Sequence, residues 1–459
     1  MLFKLGWLKS IFNETVGILD EEMIIERVIT DSREEATNCL FIPIVGDNFD
    51  AHDFVNQAID NGARAILWQK NRQLPEITYD DAVFFLVDDT LEALQELAKA
   101  YRNKVNPTVI GITGSNGKTT TKDLMYTVLK EKYVTHATKG NYNNHIGMPL
   151  TILSMSNDVD MLVLEMGMND FKEIERLSHI AQPDYAIITN IGESHIEYLG
   201  SREGIKRAKL EISEGLKAEG KLIVDGDERL LKDMINQSNV ISCGVEETND
   251  IQITHVDIKE DETSFQLKDE EEIKTFVIPL LGRHHTYNAA YCYAIAKQLN
   301  VSDECIQKGF KSLKVTGMRF EMLEGLNDSV LINDAYNASP TSMKATINVV
   351  KEMKQYEKKI IVLGDVFELG DQSELLHRSI ADVILKPINI LFTYGDQAKY
   401  ISNQASTNNT EVFVKHFSSE EALVEAIKKE LNEQTLVLFK ASRGMAFETI
   451  ISHLEMSNN

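Results

Sequence analysis

Four cysteines among 459 residues, Cys39, Cys243, Cys292 and Cys305, include no Cys-x-x-Cys pair. That excludes a disulfide frame or a zinc ribbon and fits free thiols in a reducing compartment. Positive charge is scarce too: 47 Lys and Arg face 71 Asp and Glu, a net charge of −24. Such a surface repels nucleic acid and anionic membranes but allows a local basic pocket for an anionic substrate. The apolar start, Met1 to Ser10, is broken by Lys4 and Lys9, too short and interrupted for a secretory or spanning segment. An amphipathic first helix is expected there. With it go a cytoplasmic location, no membrane insertion, no nucleic-acid partner and a monomer. No internal repeat and no low-complexity tract is present.

What is there reads as α/β, three domains long by length. Residues 1–105 form a small mixed α/β N-terminal domain, closing on a helix from Thr90 to Arg102 and the stop Asn106-Pro107. Residues 106–318 alternate strands (Met161–Glu165, Tyr185–Asn190, Lys221–Val224) with helices, the pattern of a central P-loop parallel-sheet domain. An acidic, strand-like patch at about 249–279 and a helix from about His285 to Leu299 close that block. Residues 319–459 alternate again (Val330–Asn333, Lys359–Leu363, Ile388–Thr393, Leu436–Lys440), a Rossmann-like C-terminal α/β domain.

The strongest motif is Thr-Gly-Ser-Asn-Gly-Lys-Thr-Thr-Thr at 113–121, between the apolar strand Val109–Ile112 and a helix with Leu124, Met125, Val128 and Leu129 on one face. A glycine-rich turn there aims backbone N–H groups and a positive helix end at phosphate. Lys118 reaches the β- and γ-phosphates of a nucleotide and Thr119 ligates Mg²⁺. One departure stands out: Ile112 occupies the place where the general pattern has its first glycine.

Other candidates share that sheet edge. Glu165 ends an apolar strand, and ligands of open α/β sheets bind beyond such ends; it is placed to hold Mg²⁺. His195 follows the next strand; a lone loop histidine is usually an ordinary surface residue, and the shared edge favours function here. Lys209 sits between Ala208 and Leu210 on a helix expected over Glu203–Leu216. An inward ammonium there is repelled by a metal cation, so it makes sense only if its charge is neutralised or inverted. Asn288 can read adenine with two hydrogen bonds, or be merely structural at a helix start. Asp334, at a strand end before Pro340, can hold a ribose hydroxyl, a weak signal alone.

Together these segments resemble the Mur ligase family, the ATP-dependent amide-forming enzymes of peptidoglycan synthesis, over essentially the whole chain. Thr-Gly-Ser-Asn-Gly-Lys-Thr-Thr with Ile112 before it is that family's form of the loop. Asp31-Ser-Arg33, Leu40-Phe41-Ile-Pro43, Gly46-Asp47 and Asp50-Ala-His-Asp-Phe54 resemble its uridine-nucleotide domain. Lys139 to Pro149, Asp334 to Pro340, Leu363 to Gly370 and Phe439 to Met445 resemble the member that adds D-alanyl-D-alanine to UDP-N-acetylmuramoyl-tripeptide. The Asp-Asn-Pro-Arg signature by which many diaminopimelate-adding members read that residue is absent.

The resemblance implies roles. Thr113, Gly114, Ser115, Asn116, Gly117, Lys118, Thr119 and Thr120 bind ATP, with Asn288 on adenine, Arg319 on phosphate and Asp334 on ribose. Thr119 and Glu165 hold one Mg²⁺. His195 and a carbamylated Lys209 hold a second, which resolves the charge problem. Lys118, His195, Lys209 and Arg319 are the implied catalytic set. Ser32, Arg33, Asp47, Asn143, Asn144, Asn337, Ser339, Lys440 and Ser442 are implied substrate contacts. Ser339 and Ala441 depart from the usual Asn and Gly. The alternatives are another amino-acid-adding ligase of this kind, a folylpolyglutamate-synthetase-like enzyme, or a non-catalytic nucleotide-binding regulator.

Overall fold

In the computed structural model three large sheets follow one another along the chain, beside one two-stranded pair; it describes residues 2–46, 48–75, 82–314, 317–408 and 411–456. The first is a five-stranded sheet in the order Thr15–Val16, Val83–Val87, Ala63–Gln69, Cys39–Phe41, Arg27–Ile29, parallel except at Thr15–Val16. The helix Thr90–Val105 leaves it with Asp89 as N-cap and ends at Asn106, whose φ of 55° supplies the left-handed stop. Its Arg102 is buried and donates to Ile180 O of the next block. At the N-terminus a two-residue strand, Phe3–Lys4, pairs with Ile24–Ile25 before the helix Leu5–Ile11 begins, so the expected first helix is shorter than the apolar stretch.

The central sheet has nine strands, in the order Glu272–Ile278, Thr263–Asp269, Ile251–Ile258, Val240–Gly244, Lys221–Asp225, Tyr185–Ile188, Thr108–Thr113, Met161–Glu165, Thr135–Ala137. It is parallel from Ile251–Ile258 onward; the acidic patch supplies the antiparallel edge. Thr108–Thr113 lies between a strand later in sequence on each side, so the order reverses there, and open α/β sheets bind ligands beyond that point. The helix Lys118–Leu129 starts directly from the loop. Leu124, Met125, Val128 and Leu129 are buried against Ile110, Ile112 and Val163, each contributing about 1.5–3 kcal/mol by leaving water. The helix His284–Gln298 has a nearly continuous buried run from Asn288 to Ala296 and packs against it. The helix expected over Glu203–Leu216 is α-helical only over Arg202–Leu210 and tightens into a 3₁₀ stretch at Glu211–Gly215. Gly215 permits this: a Cβ there would lie 2.1 Å from Ser178 O.

The last sheet has six strands, in the order Glu321–Glu324, Val330–Asn333, Thr435–Lys440, Lys358–Leu363, Ile390–Tyr394, Phe413–Phe417, with only the first antiparallel. Ser339 caps the helix Pro340–Glu352 through Ser342 N, with proline at its first turn. No helix among the described residues is long and apolar enough to cross a membrane.

Candidate active site

The carboxyl end of the central sheet and the start of the last domain enclose a cavity of about 570 Å³. The phosphate loop forms one wall because glycine lets the backbone take an unusual path. Gly114 has φ 149°, and a Cβ there would lie 1.8 Å from Thr189 Oγ1; Gly117 has φ 82°. Lys118 Nζ donates to Gly114 O at 2.7 Å. Burial lowers its pKa; Glu165 opposes that and Arg319 adds to it.

Thr119 Oγ1 donates to Glu165 Oε2 at 2.8 Å, and Asn143 Nδ2 donates to Oε1 at 2.9 Å. The strand end and the helix start thus present a buried hydroxyl and carboxylate side by side. Hard oxygens in that number suit Mg²⁺, which keeps waters and takes phosphate oxygens for the rest. Among the described residues no three His, Cys, Asp or Glu side chains gather into an all-protein metal site.

Lys209 is 2 % exposed and lines the same cavity. Burial drives its pKa well down, and the nearby Lys118 charge drives it further. Among the described residues its ammonium has no hydrogen-bonded or ionic partner. A neutral amine is the form that attacks CO₂, so a carbamate fits this position chemically. His195 lines the cavity in a left-handed conformation (φ 62°), heading the short helix Ile196–Leu199.

The last domain supplies the opposite wall. The Arg319 guanidinium stacks 4.2 Å from the Tyr336 ring centre, and its buried Nε has no partner among the described residues. Lys440 Nζ reaches Asp334 Oδ2 at 2.6 Å and the carbonyls of Asp334 and Asn337 at 3.3 Å each. Asp334 also accepts from Thr346 Oγ1 and Phe320 N, so a ribose contact would share oxygens already in use. The tilted rings of His284 and His285 lie 4.0 Å apart on the cavity wall; desolvation there lowers both pKa values, that of His284 to about 4.

Gly114 to Thr120, Asn143, Asn144, Glu165, His195, Lys209, Asn288, Arg319, Asp334, Asn337 and Lys440 are therefore brought together. Thr113 is buried at the strand end just before the loop. Ser339 and Ser442 stand behind the wall: Ser339 Oγ reaches Asn116 Oδ1 at 3.2 Å, and Ser442 Oγ accepts from Phe367 N. Ser32 and Arg33 lie in the first sheet's domain, away from this cavity. Ser32 Oγ donates to Gln57, and Arg33 pairs with Asp31, holding that carboxyl near pKa 2. Asp47 lies outside the described residues. Sequence reasoning assigned nothing to His284, Tyr336 or Glu368, although the last two sit inside segments that carry the family resemblance; ring contacts and domain contact leave no spacing signal.

Three family models match: the Mur ligase family catalytic domain over residues 24–102, the Mur ligase middle domain over 112–296, and the Mur ligase glutamate ligase domain over 318–443. The UDP-N-acetylmuramoyl-tripeptide–D-alanyl-D-alanine ligase of Bacillus subtilis is 46 % identical over 95 % of this chain and 94 % of its own. The crystal structure of MurF from Acinetobacter baumannii superposes with a TM-score of 0.86 at 29 % identity, covering 98 % of each chain. MurF ligase from Thermotoga maritima in complex with ADP gives 0.82 at 27 % identity, covering 95 % of this chain and 98 % of that one.

Proposed function

The chain belongs to the Mur ligase family, and from that premise we propose that it adds D-alanyl-D-alanine to UDP-N-acetylmuramoyl-tripeptide at the expense of ATP, in peptidoglycan precursor synthesis. One observation carries the reading: a single cavity takes the phosphate loop from one domain and Arg319, Asn337 and Lys440 from another. Residues 1–105 take the nucleotide-sugar, 106–318 the ATP and 319–459 the dipeptide. Ser32, Arg33 and Asp47 contact the nucleotide-sugar.

A carboxylate is a poor acyl donor. Its oxygen attacks the γ-phosphorus, ADP leaves, and an acyl phosphate forms. The dipeptide amine attacks the acyl carbon, loses a proton, and phosphate leaves with the carboxylate oxygen. Lys118, Arg319 and the loop N–H groups face the charge that gathers in both steps. Asn288 and the neutral His284 and His285 border the nucleotide. Asp334 and Lys440 shape the loop that presents Asn337 to the dipeptide. Enclosure between two domains keeps water from the acyl phosphate.

Thr119 and Glu165 would hold one Mg²⁺, and His195 with a Lys209 carbamate a second. When bound, these ions neutralise phosphate oxygens. The carbamate forms when the neutral Lys209 amine attacks CO₂ and releases a proton to solvent. The test is phosphate release with ATP and UDP-N-acetylmuramoyl-tripeptide against a panel of amine donors. Release is expected with D-alanyl-D-alanine; release with single amino acids instead would assign another amino-acid-adding ligase.

A further inference from the structure

Of the proposed metal ligands, His195 is met by a carboxylate of the last domain. Its Nδ1 is buried, and among the described residues nothing from the central domain hydrogen-bonds it. What meets it is Glu368 Oε2 of the last domain, 2.5 Å away and off the straight hydrogen-bond direction. Glu368 is gripped twice, since its carbonyl accepts from Glu197 N at 3.1 Å. It also takes a left-handed conformation, φ 61°, which is unfavourable for glutamate and persists only where its surroundings impose it.

Those surroundings are built. Asp365 caps the turn at 396–398 with three N–H bonds. Val366 N donates to the fully buried His377 Nε2 at 3.0 Å, whose Nδ1 is fixed on Ser373 O. Phe367 N donates to Ser442 Oγ. Gly370 packs on Glu197, where a Cβ would meet Cγ at 3.2 Å. Two other cross-domain bonds flank the contact, Thr341 to Glu193 and Ser339 to Asn116.

We infer that Glu368 is a positioning residue: its carboxylate, brought up by the last domain, sets the ring orientation and tautomer of His195, so that Nε2 faces the cavity as a lone-pair donor only while the two domains are docked. A carboxylate on one imidazole nitrogen does this for metal-binding histidines generally. Here it comes from a different domain, which ties the site's readiness to closure. The inference rests on the proposed role of His195.

Glu368→Gln keeps the side chain's size and removes its charge. Its kcat is expected to fall about 10- to 100-fold, the usual effect of losing such a partner, with KM for ATP held within about threefold because the phosphate loop and Asn288 are untouched. The second readout is ¹⁵N-histidine NMR with a non-hydrolysable ATP analogue, the His195 signal being identified by its loss in His195→Gln. Wild type is expected to show one tautomer protonated at Nδ1, and Glu368→Gln a mixture. A normal kcat, or a reduced kcat with the wild-type tautomer, would overturn the inference. A wild-type kcat in His195→Gln would instead overturn the role of His195 itself.

Discussion

Replacing Lys118 with alanine separates a phosphate-gripping lysine from a structural one. The side chain is half-buried, its Nζ rests on Gly114 O at 2.7 Å, and Arg319 lies close enough to depress its pKa. Without ligand, Lys118→Ala loses the hydrogen bond to Gly114 O and a longer one to Ser115 O, and also removes a desolvated cation. These effects oppose, each on the order of 1 kcal/mol, so the ligand-free melting temperature is expected to stay nearly unchanged. With nucleotide the balance differs. Loss of one donor aimed at developing charge lowers turnover about 10²–10³-fold, roughly 2.7–4 kcal/mol. At ATP·Mg²⁺ one hundred times the wild-type Kd, binding stabilises wild type by about 2.7 kcal/mol, and a mutant bound tenfold more weakly by about 1.4 kcal/mol. For domains of this size the nucleotide-induced shift is then roughly 3–5 °C smaller in the mutant. Differential scanning fluorimetry with and without ATP, beside a phosphate-release assay, reads both. Turnover within threefold of wild type, or an undiminished ATP shift, would refute the reasoning.

Lys209→Arg places a permanent cation there and cannot form the carbamate ligand, so it is expected to be nearly inactive. Lys206→Arg, whose parent pairs with Asp233 at the surface, is expected to be close to normal. Protein equilibrated with ¹³CO₂ then shows a carbamate NMR signal in Lys206→Arg that is absent from Lys209→Arg; no signal in active wild type would discard the carbamate. Asn337→Ala, on the loop anchored by Lys440, is expected to raise KM for D-alanyl-D-alanine more than KM for ATP, and the opposite order would give this loop to the nucleotide. Ser339→Ala removes a helix cap and is expected to lower stability by about 1 kcal/mol in denaturant melts; an unchanged midpoint would show that the capping box adds nothing.

The phosphate loop was legible because its function demands glycine at fixed positions next to a lysine, and periodicity around it gave the strand and the helix. Glu165 was legible because an apolar strand ending in a carboxylate is a local pattern. Lys209 posed a puzzle in sequence that burial beside Lys118 makes physical. Glu368 was not legible as a partner of His195, because its contact depends on how two domains dock, and nothing local encodes that. The break at Leu210 was missed for a related reason: Gly215 is required by the Ser178 carbonyl, a neighbour distant in sequence. The Asp334–Lys440 pair likewise joins two strands about a hundred residues apart.

Under the proposed function the acceptor carboxylate is activated by phosphorylation before the amine attacks. UDP-N-acetylmuramoyl-tripeptide labelled with ¹⁸O in its terminal carboxylate, turned over with ATP and D-alanyl-D-alanine, tests it directly. Mass spectrometry of the released phosphate is expected to find one ¹⁸O per phosphate, carried over from the carboxylate, with ADP unlabelled. Unlabelled phosphate formed alongside the amide product would contradict the claim.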